Sequence, residues 1–182
     1  MKEAFCHFWS VLIGEETCNG DPQKVIQKMA DDGVKLVRYP VKKDQTDLEL
    51  ALNYAINDGH TSIMLLTALG GRLVQLLANI FLISRPEWQH IHFEIADWPQ
   101  HGWLVQPGTQ LTLDGKINDT LSVIPLSDQI TGLTLTGVEW PLKQAKIRRG
   151  STLTISNTLI ETKVTIHLQA GTALVLLQHK LS

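Results

Sequence analysis

The chain has 182 residues and a mass of 20.3 kDa, which suits one large domain or two small ones. Sixteen Lys and Arg against eighteen Asp and Glu give a net charge of −2, which argues against a nucleic-acid-binding protein. Hydrophobic residues make up 43% and charged residues 19%, so the chain is too apolar to be disordered. Cys6 and Cys18 are too few for a disulfide framework, and we therefore expect a cytoplasmic protein.

The segment Ile63–Ile83 is long enough to span a membrane but contains Gly70-Gly71-Arg72 at its middle. A central arginine costs roughly 2.5–3.5 kcal/mol on insertion scales. The segment divides more naturally into a buried strand, a glycine turn and a helix. We expect no association with a membrane.

The first half of the chain alternates between strands and helices. Strands are predicted at Trp9–Ile13, Val34–Tyr39 and Ser62–Leu69, and helices at Pro22–Asp32, Asp47–Asn57 and Arg72–Ile83. A further short strand is predicted at Ile91–Ile95. Continuous apolar strands that alternate with helices indicate an α/β domain with a mostly parallel sheet.

From about Trp103 onward the sequence contains only strand-like runs. These are Gln110–Leu113, Leu121–Pro125, Gly132–Val138, Ser151–Ser156, Lys163–Leu168 and Ala173–Gln178. Their alternating polarity and the turn residues between them are typical of a small all-β sandwich. We expect two domains, residues 1–98 and 99–182, with the boundary near residues 98–105.

Polar residues concentrate between the second predicted strand and the following helix, and they include Lys43, Asp44, Thr46, Asp47 and Glu49. Ligands bind at this edge of open α/β sheets, where free N–H groups attract anions. A lysine and two carboxylates suit phosphates with a magnesium ion. Thr46 followed by Glu49 is equally a helix-capping box. The residues alone leave both interpretations open.

The turn Gly70-Gly71-Arg72 also follows a strand and opens a helix. Paired glycines allow a ligand close to the backbone, and an arginine binds phosphate oxygens through two N–H groups. A glycine turn beside a solvated arginine is common, so this turn alone favours a structural role. Together, the polar segment 43–49 and this turn place groups suited to phosphate binding at the ends of two successive strands, which favours a nucleotide site.

Together these segments resemble the thiamine pyrophosphokinase family. The matching segments keep the family's order, and they are Lys43–Leu52, Leu69–Leu73, Ala78-Asn79, Ser122–Ser127, Thr131–Thr134, Trp140–Leu142, Arg148–Ser151 and Ile155–Asn157. The resemblance extends over residues 34–178. It implies transfer of the pyrophosphoryl group of ATP to thiamine, which gives thiamine diphosphate and AMP.

The resemblance also implies an architecture and a set of partners. Residues 1–98 would form an α/β catalytic domain that binds ATP and Mg²⁺. Residues 99–182 would form a β-sandwich that binds thiamine and joins two subunits in a homodimer. The family's active sites lie between subunits, and we expect the dimer to form mainly through the all-β half.

Individual roles follow from the resemblance, residue by residue. Asp44, Asp47 and Arg72 match catalytic positions, and Asp47 with Glu15 matches the metal site. The ATP-binding positions are Lys43, Thr46, Gly70, Gly71 and Arg72, and the thiamine-binding positions are Ser156 and Asn157.

The sequence departs from the family pattern near the metal site. The family's Gly-Asp-X-Asp-Ser is here Gly14-Glu15-Glu16-Thr17-Cys18, and Gly-Gly-Arg-X-Asp-His becomes Gly70–Gln75. An amino-terminal strand with an Asp-Gly-Gly turn has no counterpart, so we expect the first domain to be truncated. The alternative function is a weakened or inactive member that binds thiamine or thiamine diphosphate. A third hypothesis is a remnant whose sandwich serves only for dimerisation.

Two further features have ordinary structural explanations. Trp140, next to Pro141, is of a type that stacks on the thiamine cation, but the sequence favours core packing for it. His90 and His92 alternate along a predicted strand without a third metal ligand, which favours a solvated strand over a zinc site.

Overall fold

A computed structural model describes residues 24, 27–28, 31–32, 44–66 and 72–181. The chain divides into two compact units, residues 1–60 and 61–182. In the first unit, residues 24, 27, 28 and 31 are helical, as predicted for Pro22–Asp32. The predicted strands Trp9–Ile13 and Val34–Tyr39 lie outside the described residues.

Helix α1 of the first unit spans Asp47–Asn57, with the bounds that the sequence predicts. Thr46 is its N-cap, and Leu50 and Leu52 are its buried apolar residues. Gly59 follows the end of the helix with φ of +92°, a conformation that glycine adopts without strain.

The second unit contains one helix of comparable length, one short 3₁₀ helix and ten described strands. In chain order these elements are β1 (Ser62–Leu66), α2 (Leu73–Ile83), the 3₁₀ helix (Pro86–Trp88), β2 (His92–Asp97), β3 (Gln100–Val105), β4 (Gln110–Asp114), β5 (Thr120–Pro125), β6 (Gln129–Thr136), β7 (Leu142–Arg148), β8 (Asn157–Thr158), β9 (Lys163–His167) and β10 (Ala173–Gln178).

The strands form two sheets. One has the order β1-β2-β3-β10-β5-β8 and the other the order β4-β9-β6-β7. Only β1 and β2 pair in parallel among the described strands, so the described part of the chain does not support a mostly parallel sheet. The physical reason is the turn at Trp98-Pro99, because strands joined by two residues must be antiparallel. A mixed sheet and a second, antiparallel sheet are the observed architecture.

Each face of the six-stranded sheet buries its own apolar layer. One core lies between the two sheets and includes Leu121, Val175 and Ile166. The opposite face carries the buried side chains Leu65, Phe93, Ile95, Leu104 and Leu174. The sheet continues through residues 98–105, since β2 and β3 pair there. The division into a nucleotide-binding domain, residues 1–98, and a thiamine-binding domain, residues 99–182, stays a prediction.

The strand predicted at Ser151–Ser156 is wrong, because this segment forms turns. Ser156 has φ of +58°, and the buried Thr154 hydroxyl donates to the Val123 carbonyl oxygen at 2.6 Å. Strand β7, which the periodicity does not predict, lies at the edge of its sheet. Its exposed Lys143, Lys146 and Arg148 suit an edge strand but hide the apolar alternation.

Candidate functional site

Two of the polar residues predicted near ATP lie at the start of α1. The Thr46 hydroxyl oxygen accepts a hydrogen bond from the Glu49 backbone N–H at 3.2 Å, so the capping interpretation holds. The cap leaves the hydroxyl hydrogen available to a phosphate oxygen, since a hydroxyl both accepts and donates. Asp47, in the first turn, is half-buried, and Asp44 is exposed.

Arg72 occupies the N-cap position of α2 and is exposed to solvent. It belongs to the second unit, whereas Asp44, Thr46 and Asp47 belong to the first. Glu15, Glu16, Lys43, Gly70 and Gly71 lie outside the described residues.

The carboxylates of Asp44 and Asp47 provide the donor chemistry that Mg²⁺ requires. Magnesium is usually held by one or two carboxylates, by substrate phosphates and by water, so the two aspartates fit an ion that arrives with ATP. Within the described ranges, no group of three or more His, Cys, Asp or Glu side chains is placed to hold a metal ion. A site made by the protein alone therefore has no support in that part of the chain.

Asn157 lies on β8, and its side chain is bound to the backbone of Trp140. Its Oδ1 accepts from the Trp140 N–H at 3.1 Å, and its Nδ2 donates to the Trp140 carbonyl oxygen at 2.8 Å. Asn157 is only 4% exposed, whereas Trp140 is 59% exposed. The core-packing prediction for Trp140 is therefore wrong. A buried amide holds an indole at the surface.

Ser156 precedes Asn157 and is exposed. Its backbone N–H donates to the Ser122 Oγ at 3.0 Å, which fixes the left-handed turn into β8. The Gly137 carbonyl oxygen accepts from the N–H groups of Ile160 and Glu161 on the other side of β8. Hydrogen bonds thus hold the Ser156-Asn157 segment and Trp140 in one fixed arrangement.

A single row of paired residues crosses the whole six-stranded sheet. It consists of Leu66, Ala96, His101, Leu177, Leu121 and Asn157. Five inter-strand spacings place the backbones of Leu66 and Asn157 about 24 Å apart along the sheet. Strands β1 and β8 are therefore the opposite edges of the described sheet. Strand β1 leads to the Gly70-Gly71-Arg72 turn, and β8 carries Asn157 of the predicted thiamine segment.

A buried carboxylate, Asp119, lies directly before β5 and beside the residues that follow β10. It is 1% exposed and accepts from the Lys116 N–H at 2.9 Å, the Lys180 N–H at 3.0 Å and the His179 Nδ1 at 2.8 Å. Burial raises the pKa of the Asp119 carboxyl, but the N–H groups of Lys116 and Lys180 and the His179 ring outweigh burial and hold this pKa below its ordinary value. Sequence reasoning missed this residue, because no local pattern marks a buried carboxylate.

A second polar cluster joins β2 to β3. The Glu94 carboxylate accepts from the Trp103 Nε1 at 2.8 Å and lies 2.7 Å from the His101 Nε2. The His101 and Trp103 rings stack with centroids 4.1 Å apart. Each of these side chains has its partners within the cluster.

No helix in the described part of the chain is long and apolar enough to cross a membrane.

The described part of the chain thus combines a mixed sheet with a second, antiparallel sheet. A family model described as "Thiamin pyrophosphokinase, catalytic domain" matches residues 21–95, and another described as "Thiamin pyrophosphokinase, vitamin B1 binding domain" matches residues 108–173. The chain belongs to the thiamin pyrophosphokinase family.

Individual relatives agree with this assignment. The chain is 36% identical over 133 residues to the thiamine pyrophosphokinase of Bacillus subtilis (strain 168), an alignment that covers 73% of this chain and 62% of the relative's length. The crystal structure of the Bacillus subtilis protein matches with a TM-score of 0.76 and 29% identity over 90% of this chain and 75% of that one. The Geobacillus thermodenitrificans structure matches with a TM-score of 0.71 and 30% identity over 89% and 74% of the two chains.

Proposed function

We propose that the protein transfers the pyrophosphoryl group of ATP to thiamine. The observation that carries this proposal is the succession on one chain of a match to the catalytic domain and a match to the vitamin B1 binding domain. Residues 1–98 then bind the nucleotide and residues 99–182 bind thiamine. The protein works in the cytoplasm.

The reaction joins thiamine to the two terminal phosphates of ATP. The thiamine hydroxyl oxygen attacks the β-phosphorus, and the bond from that phosphorus to the oxygen shared with the α-phosphate breaks. AMP leaves with this oxygen, and the hydroxyl proton is released. Catalysis of such a transfer consists mostly of positioning and of charge stabilisation.

On the nucleotide side, two polar segments, residues 43–49 and 70–72, supply the groups that bind the phosphates. Lys43, Arg72 and the backbone of Gly70 and Gly71 bind phosphate oxygens, and the Thr46 hydroxyl donates to one of them. Asp44 and Asp47 hold the Mg²⁺ ion, with Glu15 as a further ligand. This ion, when bound, offsets negative charge on the phosphates.

On the thiamine side, Trp140 and Ser156 contact the substrate, and Asn157 serves as the residue that positions Trp140. An exposed indole face suits the thiazolium ring, because a cation is attracted to the face of tryptophan. The buried Asn157 amide, with both atoms bonded to the Trp140 backbone, supports this division of roles.

The active protein is a homodimer, and its substrates meet between subunits. Support comes from the separation of about 24 Å between the two edge strands of the sheet, which is too far for one small substrate to touch both. In a dimer, β1 of one subunit can lie close to β8 of its partner. Exposed apolar side chains near β8 suit an interface, and they are Ile117, Leu153, Ile155 and Ile160.

The test is formation of thiamine diphosphate and AMP in equal amounts from thiamine and magnesium-ATP. Asp47→Asn removes a metal ligand and should cost roughly 2–4 kcal/mol of transition-state stabilisation. Asp58→Asn, at the other end of α1, is the matched control and should leave the rate unchanged. Thiamine binding without any product would contradict the proposal and favour an inactive, thiamine-binding member of the family.

A further inference from the structure

The side chain of Trp98 is the most exposed large hydrophobic group in the described part of the chain, with 73% of its surface open to solvent. It lies in the two-residue turn between β2 and β3. The ring of His179 stacks on it with centroids 5.1 Å apart and an interplanar angle of 23°. One face of the indole is therefore covered and the other is open.

Three contacts fix the imidazole behind Trp98. The His179 Nδ1 donates to the buried Asp119 carboxylate at 2.8 Å, and the His179 backbone N–H donates to the Pro99 carbonyl oxygen at 2.9 Å. The Lys180 N–H binds the same carboxylate. A single exposed tryptophan needs no functional explanation. This one is backed by a ring that a fully buried charge holds in place, which makes it a rigid stacking surface.

The position of this surface indicates its ligand. Trp98 follows Ala96 by two residues, and Ala96 pairs with Leu66, the last residue of β1. Strand β1 leads to the turn that we assign to the phosphates, and β2 lies one strand spacing from it. The thiamine segment at β8 lies four strands away from β2 in the same sheet, and in the proposed dimer the thiamine beside the partner's β8 already has the partner's Trp140 to stack against. A nucleotide base is tethered to its phosphates through one ribose, so the base is the ring within reach.

We propose that the open face of Trp98, supported by His179 and Asp119, stacks against the purine base of the nucleotide. The inference rests on the proposed function for the identity of the nucleotide, and it adds the residue that binds the base. Indole and purine rings stack favourably whatever the edges of the base carry, and removal of such a partner weakens binding of a base markedly.

Calorimetry on the full chain without thiamine tests the proposal with two ligands, magnesium-ATP and magnesium-tripolyphosphate, which lacks the base. Trp98→Ala should weaken ATP binding by about tenfold or more and change tripolyphosphate binding by less than about threefold. Trp98→Phe keeps a ring and should retain most of the affinity for ATP. Leu181→Ala is the control. It removes another exposed apolar side chain, two residues after His179, and should bind ATP like the parent.

Several outcomes would overturn the proposal. These are unchanged ATP affinity in Trp98→Ala, an equal loss for ATP and tripolyphosphate, or a loss for thiamine in place of ATP. His179→Ala leaves the indole without its support and should give a smaller loss for ATP alone. A parent protein that makes no thiamine diphosphate but binds ATP in a Trp98-dependent way contradicts only the proposed function. An active parent whose Trp98→Ala variant binds ATP normally contradicts only this inference.

Discussion

Trp140 and Asn157 illustrate how one buried amide can set the position of an exposed aromatic ring. The sequence presents them as unrelated residues, 17 positions apart, and composition favours burial of the tryptophan. The fold reverses this expectation, because the two hydrogen bonds of Asn157 bind the backbone of Trp140 and leave its ring outside. The resemblance implies that Asn157 binds thiamine, whereas in the structure both polar atoms of its side chain are already hydrogen-bonded to the Trp140 backbone.

This arrangement predicts different consequences for the two residues. Trp140→Ala should weaken thiamine binding by about tenfold with little loss of stability, since the ring is exposed. Asn157→Ala should weaken thiamine binding and also cost roughly 1–3 kcal/mol of unfolding free energy, because the Trp140 N–H and carbonyl lose their partner. Calorimetry and denaturant unfolding measure the two quantities. Thiamine affinity equal to the parent's in Trp140→Ala would remove the ring from the site.

At the level of elements, the sequence predicts what depends on local periodicity. Helix α1 is predicted with its observed bounds, because a cap, an apolar period of 3.6 and a terminal glycine agree. Strand β10 is also predicted with its observed bounds, since five of its six residues are apolar. Strand β7 and the turns at 151–156 escape prediction, because hydrogen bonds to residues distant in sequence decide them. The two described strands of the predicted parallel sheet, β1 and β2, do pair in parallel, and the antiparallel pairs of this sheet come from strands later in the chain.

The Asp119 cluster ties three elements together, namely the turn after β4, the segment after β10 and, through His179, the turn at Pro99. Asp119→Asn replaces an ionised acceptor with an amide that must face N–H donors. We expect a loss of roughly 2–4 kcal/mol of unfolding free energy. Asp128→Asn is the control, because the Asp128 side chain is 89% exposed beside Arg149, and its loss should cost less than about 1 kcal/mol.

The pH dependence of this effect has a definite sign. The pKa of the Asp119 carboxyl is lowered in the folded protein, so the ionised group stabilises the fold above the ordinary value of 3.8. This stabilisation is lost as the pH falls through the lower, folded-state pKa. The difference in unfolding free energy between the parent and Asp119→Asn should therefore shrink as the pH falls below about 4. A difference that stays constant over that range would show that the charge of Asp119 contributes nothing.

At the scale of the whole molecule, the two proposed substrate sides lie on opposite edges of the sheet that the described strands form. Strand β1 leads to Arg72, and β8 carries the segment beside Trp140, with about 24 Å of sheet between the two strands. An isologous dimer brings such edges together twice, so it forms two equivalent sites. In the proposed homodimer, each site would take its phosphate side from one subunit and its thiamine side from the other.

Mixed dimers test this arrangement directly. Assayed at thiamine concentrations far below the parent's KM, Arg72→Ala and Trp140→Ala should each retain about one tenth or less of the parent's activity alone. Refolded together in equal amounts, they should recover about one quarter of the parent's activity, because half of the dimers are mixed and each of these holds one intact site. If each site lay within a single chain, every site in the mixture would carry one defect and no activity would return. Leu153→Glu, near β8, should yield monomers by light scattering and abolish the recovery.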